Sequence, residues 1–227
     1  MARLPRIVIP GLPHHVTQRG NRQERTFFND GDYKAYRQLI AEAALRTRTE
    51  VWAYCLMPNH VHMILVPSDQ DGLRGTLAEA HRRYTTRVNK RNGWTGHLWQ
   101  GRFGAVLMDE ENLINAVHYI SLNPVRAGLV EQPEHWPWSS VSAHLKKRND
   151  SLVTVKPVLE RVPDFASLLE QELPEEAAMD LRRAETIGRP LGSESFFDDL
   201  ETRLGFDVRP QRRGRKPKSQ LELKEIE

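Results

Sequence analysis

The chain has 227 residues, with 33 lysines and arginines against 30 aspartates and glutamates and a single cysteine. A length of this order supports a sizeable core, and 39% hydrophobic with 28% charged residues is a globular composition that argues against wholesale disorder. Cys55 alone cannot form an intrachain disulfide or a cysteine-based zinc cluster, and no apolar run approaches the roughly 18 residues that a membrane span needs.

Periodicity over the first 130 residues predicts alternating strands and helices. Period-two or continuous apolar runs predict strands at 15–19, 51–57 and 60–66 and a further strand within 98–108. Apolar residues at helical spacing predict helices at 33–48, 73–91 and 109–123, and Pro124 is expected to end the third helix. This β-α-β-β-α-β-α order predicts an α+β fold, an antiparallel sheet in a split β-α-β (ferredoxin-like) sandwich with helices on one face.

The patterning weakens after Pro137. Residues 152–181 are expected to form short helices with acidic faces, one more small helix follows near 195–204, and nothing after Pro210 could form a core. We therefore expect a main domain at 1–140, a C-terminal helical extension at 141–206 and a basic, flexible tail at 207–227.

The near-neutral net charge of +3 conceals charged blocks. Residues 3–25 carry five arginines against one acid, and residues 72–106 carry seven basic residues against one acid. Residues 160–185 hold eight acids and three arginines, and the tail at 209–218 has six basic residues and no acid. Basic blocks suggest a polyanion partner, although solvated helix faces would give a similar pattern. The acidic block is expected to pack away from the functional face, or to screen it.

Two histidines, His60 and His62, are two residues apart in a predicted strand. Period two turns both imidazoles to one face, about 6–7 Å apart along the backbone, where they could share a divalent ion. The alternative is a pair of half-buried histidines hydrogen-bonded to their neighbours. His14 and His15 are expected to be structural or to contact DNA rather than to bind metal.

Tyr119 lies outside the apolar stripe of its predicted helix, and Asn123 follows one turn later on the same side. If this side covers the histidine strand, a metal held by His60, His62 and Asn123 could polarise a phosphate that the tyrosine attacks. A helical tyrosine is more often a core or boundary residue.

These residues resemble the tyrosine transposases of the HUH endonuclease superfamily, and among them the REP-associated tyrosine transposases of bacteria. The resemblance rests on several ordered motifs that span most of the chain. They are Pro-His-His-Val-Thr-Gln-Arg-Gly-Asn-Arg at 13–22, Met-Pro-Asn-His-Val-His at 57–62, Trp-Gln-Gly-Arg-Phe at 99–103, Tyr-Ile-Ser-Leu-Asn-Pro-Val-Arg-Ala-Gly-Leu at 119–129, Trp-Pro-Trp-Ser-Ser at 136–140, Gly-Arg-Pro-Leu-Gly at 188–192 and Arg-Gly-Arg-Lys-Pro-Lys at 213–218.

The resemblance implies that residues 1–140 are a catalytic domain that cleaves and rejoins single-stranded DNA near palindromic REP hairpins. Tyr119 would become linked to a 5′ phosphate, with Mg²⁺ or Mn²⁺ at His60 and His62. In such transposases a glutamine or other polar residue one turn beyond the tyrosine is the third ligand, and Asn123 stands there with a shorter side chain. A cytoplasmic, nucleoid-associated bacterial protein is implied, without a membrane partner and as a monomer or homodimer.

Basic residues of several segments are expected to contact the DNA. The helix at 73–91 could track phosphates, and Arg102 lies between Trp99 and Phe103, which could stack on bases or pack in the core. Residues 213–217 resemble an AT-hook that inserts into a minor groove, or else form a solubilising tail. The candidates are Arg19, Arg22, Arg82, Arg83, Arg87, Arg91, Arg102, Arg212, Arg213, Arg215 and Lys216.

Two other functions fit the same residues. One is a non-catalytic protein that binds REP hairpins, and the other is a metal-dependent phosphodiesterase that uses activated water, with a structural Tyr119. A covalent protein–DNA adduct would distinguish the transposase from both.

Overall fold

A computed structural model describes residues 6–209. Its strands are β1 His14–Arg19, β2 Glu50–Met57, β3 His60–Val66 and β4 Gly104–Leu107. The helices are α1 Asp30–Thr47, α2 Gly72–Asn92, α3 Glu110–Arg126, α4 Val141–Leu145, α5 Lys156–Arg161, α6 Phe165–Glu170, α7 Glu175–Ile187 and α8 Glu194–Leu204. The strands form one antiparallel sheet in the order β2-β3-β1-β4, which confirms the predicted α+β class. None of the described helices is long and apolar enough to cross a membrane.

The strand order puts β1 and β3 side by side in the middle of the sheet. Thr17 lies opposite His62, and Arg19 lies opposite His60. The two histidines therefore lie on a central strand, and the strands paired with it on either side, β1 and β2, fix their position.

Helices cover both faces of the sheet, and the expectation of helices on one face was wrong. One hydrophobic cluster joins α1 and α2 to Val61, Met63 and Leu65, and a second joins α3 to Ile64 and Val66. The reason is that β3 carries apolar residues on both of its faces, so a layer of helices must cover each face of the sheet. The histidines share their face with Ile64 and therefore lie under α3.

Side-chain caps begin α1 and α3 as their sequences indicate. The Asn29 side chain accepts a hydrogen bond from the Asp32 amide, and Asp109 accepts one from the Asn112 amide. The predicted end of α3 was wrong, because Pro124 lies inside the helix, which ends at Arg126. A proline in the last turn lacks one backbone donor and leaves the few remaining turn bonds intact, so it does not break the helix there.

The C-terminal part of the chain packs on the α3 side of the sheet. Val158, Phe165, Leu168, Leu181 and Ala184 belong to the same hydrophobic cluster as α3. The short helices predicted for this region are thus present as α5, α6 and α7, and they complete the second layer.

Chain from this region also lines both outer strands of the sheet. On β2, the Leu56 amide donates to the Trp138 carbonyl and the Ser140 amide donates to the Tyr54 carbonyl. On β4, the Leu191 amide donates to the Leu107 carbonyl. The outer strands therefore have backbone partners on their outer sides at these positions.

Candidate active site

The predicted histidine pair lies on one face of β3. The ring centroids of His60 and His62 are 4.9 Å apart, with His60 half-buried and His62 only 4% exposed. His60 Nδ1 also lies 2.6 Å from the side-chain oxygen of Asn59. Both rings lie on one face of β3, as the period-two spacing predicted.

A third histidine contacts this pair from the neighbouring strand. His15 Nε2 lies 3.0 Å from His62 Nδ1, and the two rings stack with centroids 5.2 Å apart. Because Thr17 is directly opposite His62, His15 is the diagonal neighbour on the same face. The alternation of residues 14–19 could have indicated this face, but the adjacency of β1 and β3 was needed to find the contact.

Helix α7 brings a carboxylate to the two buried imidazoles. Glu185 Oε1 lies 3.7 Å from His15 Nδ1 and 3.8 Å from His62 Nδ1. Glu185 Oε1 and His15 Nδ1 are both buried without a hydrogen-bond partner. The three side chains offer ligand atoms within 4.8 Å of one another, a spacing that could accommodate a metal ion. No local sequence signal marks Glu185.

Burial sets the protonation of these groups. It lowers the pKa of His15 to about 3 and that of His60 to about 4, and it lowers the pKa of His62 well below the usual value. It raises the pKa of Glu185 to about 7. At neutral pH the imidazoles are therefore uncharged and keep lone pairs that can bind a divalent cation.

Tyr119 faces the same group of side chains from α3. Its ring meets the ring of His62 edge-on, with centroids 5.8 Å apart, and only 7% of the residue is exposed. The guanidinium of Arg126 lies 4.6 Å from the ring centroid, and that of Arg182, on α7, lies 5.9 Å away. A phenol, two imidazoles and two positive charges thus meet under α3 and α7.

Asn123 lies one turn beyond Tyr119, as the helical spacing predicts. Its side-chain nitrogen is buried without a hydrogen-bond partner. Among the described residues, no hydrogen bond joins Asn123 to His60 or His62, so its role as a ligand stays a prediction.

A cleft of about 430 Å³ opens beside the histidines. It is lined by His60, His62, Glu185 and the arginines Arg19 and Arg102. An adjoining groove of about 520 Å³ shares Arg102 and Phe103 with the cleft, and its wall further includes Arg74, Arg82 and Trp99. Trp99 is buried in the hydrophobic core, which was one of its two predicted roles; the other was stacking on bases. The positive lining suits an anionic ligand.

The other predicted DNA-binding arginines are dispersed. Arg83 pairs with Glu42, and Arg91 pairs with the buried Asp32. Arg87 lies beside Arg83 in a separate shallow pocket, and Arg22 is exposed next to β1. The tail candidates lie outside the described residues; they are Arg212, Arg213, Arg215 and Lys216.

The acidic segment at 160–185 does not pack away from the histidine face, because its last residue, Glu185, contacts that face. The expectation of packing away therefore fails for Glu185, and screening of this face by the segment stays a prediction.

Comparisons with known proteins identify a matching family and similar relatives. Residues 11–123 match the family described as "Transposase IS200 like". A Haemophilus influenzae protein named "Putative REP-associated tyrosine transposase" is 28% identical over 136 residues, which are 55% of this chain and 77% of that protein. An Escherichia coli REP-associated tyrosine transposase is 25% identical over 120 residues, 52% of this chain and 70% of its own length.

A solved structure described as a REP-associated tyrosine transposase bound to a REP hairpin has a similar fold. Its TM-score is 0.57 at 23% identity, and the match covers 68% of this chain and 92% of that chain. This likeness establishes the fold.

Proposed function

Because the chain belongs to the IS200-like transposase family, we propose that it cleaves and rejoins single-stranded DNA near REP-type hairpins through a tyrosine–DNA intermediate. The observation that carries this proposal is the position of Tyr119, edge-on to His62 at 5.8 Å between ring centroids. A hydroxyl beside a pair of metal-binding side chains is the arrangement that nucleophilic attack on a phosphodiester requires.

In the proposed reaction, Tyr119 Oη forms a bond to phosphorus and the bond to the 3′ oxygen breaks. The phenolic proton leaves, the departing 3′ oxygen takes up a proton, and a 5′-phosphotyrosine remains. A 3′ hydroxyl of another strand then attacks this phosphotyrosine, which rejoins the DNA and restores the tyrosine. Arg126 and Arg182, which lie over the tyrosine ring, would balance the negative charge of the phosphate.

The donor set fits a divalent cation. His60 and His62 are neutral imidazoles on one face, and the buried amide of Asn123 and carboxylate of Glu185 offer further polar atoms. We propose that His60 and His62, with Asn123, hold Mg²⁺ or Mn²⁺. When bound, such an ion polarises the scissile phosphate and stabilises its developing charge.

The DNA partner is proposed from charge. Arg19 and Arg102 line the cleft beside the histidines, and Arg82 lines the groove that continues from it. A phosphate backbone that follows this path would pass the histidine pair and place unpaired bases near the half-buried Phe103.

The test is incubation of the full chain with Mn²⁺ and an oligonucleotide that forms a hairpin with a 5′ extension. The proposal predicts a protein–DNA adduct that survives denaturation and disappears in Tyr119→Phe. Cleavage without an adduct would instead support a phosphodiesterase that uses water. Tight hairpin binding without cleavage would support a binding protein.

A further inference from the structure

His15 is a buried residue of β1 that the reaction outlined above does not use. It is fully buried, its Nε2 lies 3.0 Å from His62 Nδ1, and its Nδ1 has no hydrogen-bond partner. A hydrogen bond between two neutral imidazoles runs in one of two directions, according to which ring nitrogen carries the proton. The direction decides whether Nε2 of His62 carries a proton or has a free lone pair.

In one arrangement, His62 Nδ1 donates to His15 Nε2. His62 Nε2 then has a free lone pair, which is the form that binds a metal ion. His15 carries its proton on Nδ1, which faces the unpartnered Oε1 of Glu185 at 3.7 Å. This N–H and the ionised carboxylate attract each other across that distance, although 3.7 Å is longer than a hydrogen bond.

In the opposite arrangement, His15 Nε2 donates to His62 Nδ1. His62 then carries a proton on Nε2 and cannot bind a metal through it. When Glu185 is ionised, the bare Nδ1 of His15 would also face an acceptor oxygen across 3.7 Å, and two lone pairs would oppose each other in a buried site. Only a protonated Glu185 could donate to this nitrogen. With Glu185 ionised, only the first arrangement makes both contacts of His15 favourable.

We propose that His15 is a positioning residue that accepts the Nδ1 proton of His62 and so keeps His62 Nε2 free for the metal, while Glu185 holds the far nitrogen of His15. This inference rests on the proposed metal site at His60 and His62. It assigns a role to a residue of β1 and to a residue of α7, which lies outside the matched range 11–123.

The experiment measures Mn²⁺ binding to the full chain by electron paramagnetic resonance. Removal of such an outer hydrogen-bond partner typically lowers metal affinity about 10–100-fold, and we expect this loss in His15→Phe. His15→Gln retains a side-chain oxygen that can accept the His62 proton and should recover most of the affinity. The matched control is His14→Phe, since His14 is equally buried in the same strand but bonds to the Ile9 amide.

The outcomes distinguish the metal site itself from the role of His15. No Mn²⁺ binding by the unaltered chain would contradict the proposed metal site. Binding by the unaltered chain that is unchanged in His15→Phe would overturn the role of His15 alone. Histidine ¹⁵N resonances of the unaltered chain give an answer that does not depend on how the variants fold: a proton on His62 Nδ1 supports the inference, and a proton on Nε2 overturns it.

A double-mutant cycle tests whether Glu185 acts through His15. Glu185→Gln should lower the Mn²⁺ affinity of the unaltered chain but cause little further loss in the His15→Phe background. An equal loss in both backgrounds would show that Glu185 acts on the metal independently, which would overturn its assignment to His15.

Discussion

Arg91, in the last turn of α2, donates two hydrogen bonds to the carboxylate of Asp32, at the start of α1, over 2.5 and 2.9 Å. Asp32 is fully buried and also accepts a hydrogen bond from the Phe28 amide. The bidentate pair joins the two helices that cover one face of the sheet. Arg91 was predicted to contact DNA, but its charge is neutralised within the fold by Asp32.

Arg91→Met should destabilise the protein, because it leaves the buried carboxylate of Asp32 without its cation. We expect the free energy of unfolding to fall by about 2–3 kcal/mol, measured by urea denaturation. Arg83→Met, on the same helix, removes an arginine from an exposed ion pair with Glu42 and should change stability little. Equal effects of the two substitutions would show that the burial of Asp32 does not matter.

Gly20→Ala should also destabilise the fold, for a steric reason. A Cβ at Gly20 would lie 2.2 Å from the Glu24 carbonyl oxygen, so backbone must move. The Gly20 amide donates to the carbonyl of Asn59, which precedes His60. We expect a loss of about 1–3 kcal/mol in urea denaturation. Gly31→Ala is the comparison and should destabilise the fold less, because its Cβ would lie 3.0 Å from a side-chain oxygen, that of Asn29, rather than 2.2 Å from backbone. Unchanged stability of Gly20→Ala would contradict the prediction.

The protein should lose stability in mild acid. Burial lowers the pKa of His14 to about 4, whereas an unfolded histidine titrates at 6.5. The stabilisation is therefore fully present above pH 6.5 and is lost as the pH falls through 4, by up to about 1.4 kcal/mol per pH unit for each such histidine. Urea denaturation between pH 7 and about 4 should show a shallower acid dependence for His14→Phe than for the unaltered chain or for the exposed His135→Phe. An unchanged slope in His14→Phe would refute this explanation.

Cys55 should react with thiol reagents only when the sheet opens. It is fully buried in β2, burial raises the pKa of its thiol, and its Sγ contacts Met57. Because the chain has one cysteine, absorbance after addition of a disulfide reagent reports this position alone. We expect negligible labelling of the native chain over minutes and complete labelling in denaturant. Rapid native labelling would mean that β2 opens easily.

Arg126→Met should slow formation of the tyrosine–DNA adduct. The Arg126 guanidinium lies over the Tyr119 ring, where it can stabilise charge that develops on the phosphate. We expect a rate reduction of about 100-fold at saturating hairpin oligonucleotide. Arg183→Met removes an exposed arginine from α7 and is the control. If both variants formed the adduct at the unaltered rate, Arg126 would have no part in the reaction.

The order of elements through α3 could be predicted because it depends on local periodicity. The alternation of residues 60–66 identified β3 and turned His60 and His62 to one face, and helical spacing set Tyr119 apart from its apolar stripe. Local rules also explain the error at Pro124, since they do not distinguish a proline in the last turn from one that ends a helix.

The remaining part of the site depends on tertiary structure. His15 reaches His62 only because β1 and β3 are neighbours, and strand order does not follow from periodicity. Glu185 lies on α7, which packs against α3 and β4 and is far along the chain from the histidines. Glu185 is one of eight acidic residues at 160–185, and nothing in the local sequence distinguishes it from the others.

The hydrogen bonds along β2 and β4 have a consequence for association between copies. An outer strand with free amides and carbonyls can pair with the edge of another sheet. Here the segments around Trp138 and Leu191 occupy part of each outer strand. A second copy could not extend the sheet across these positions without first displacing the protein's own chain, so the fold protects itself against edge-to-edge polymerisation.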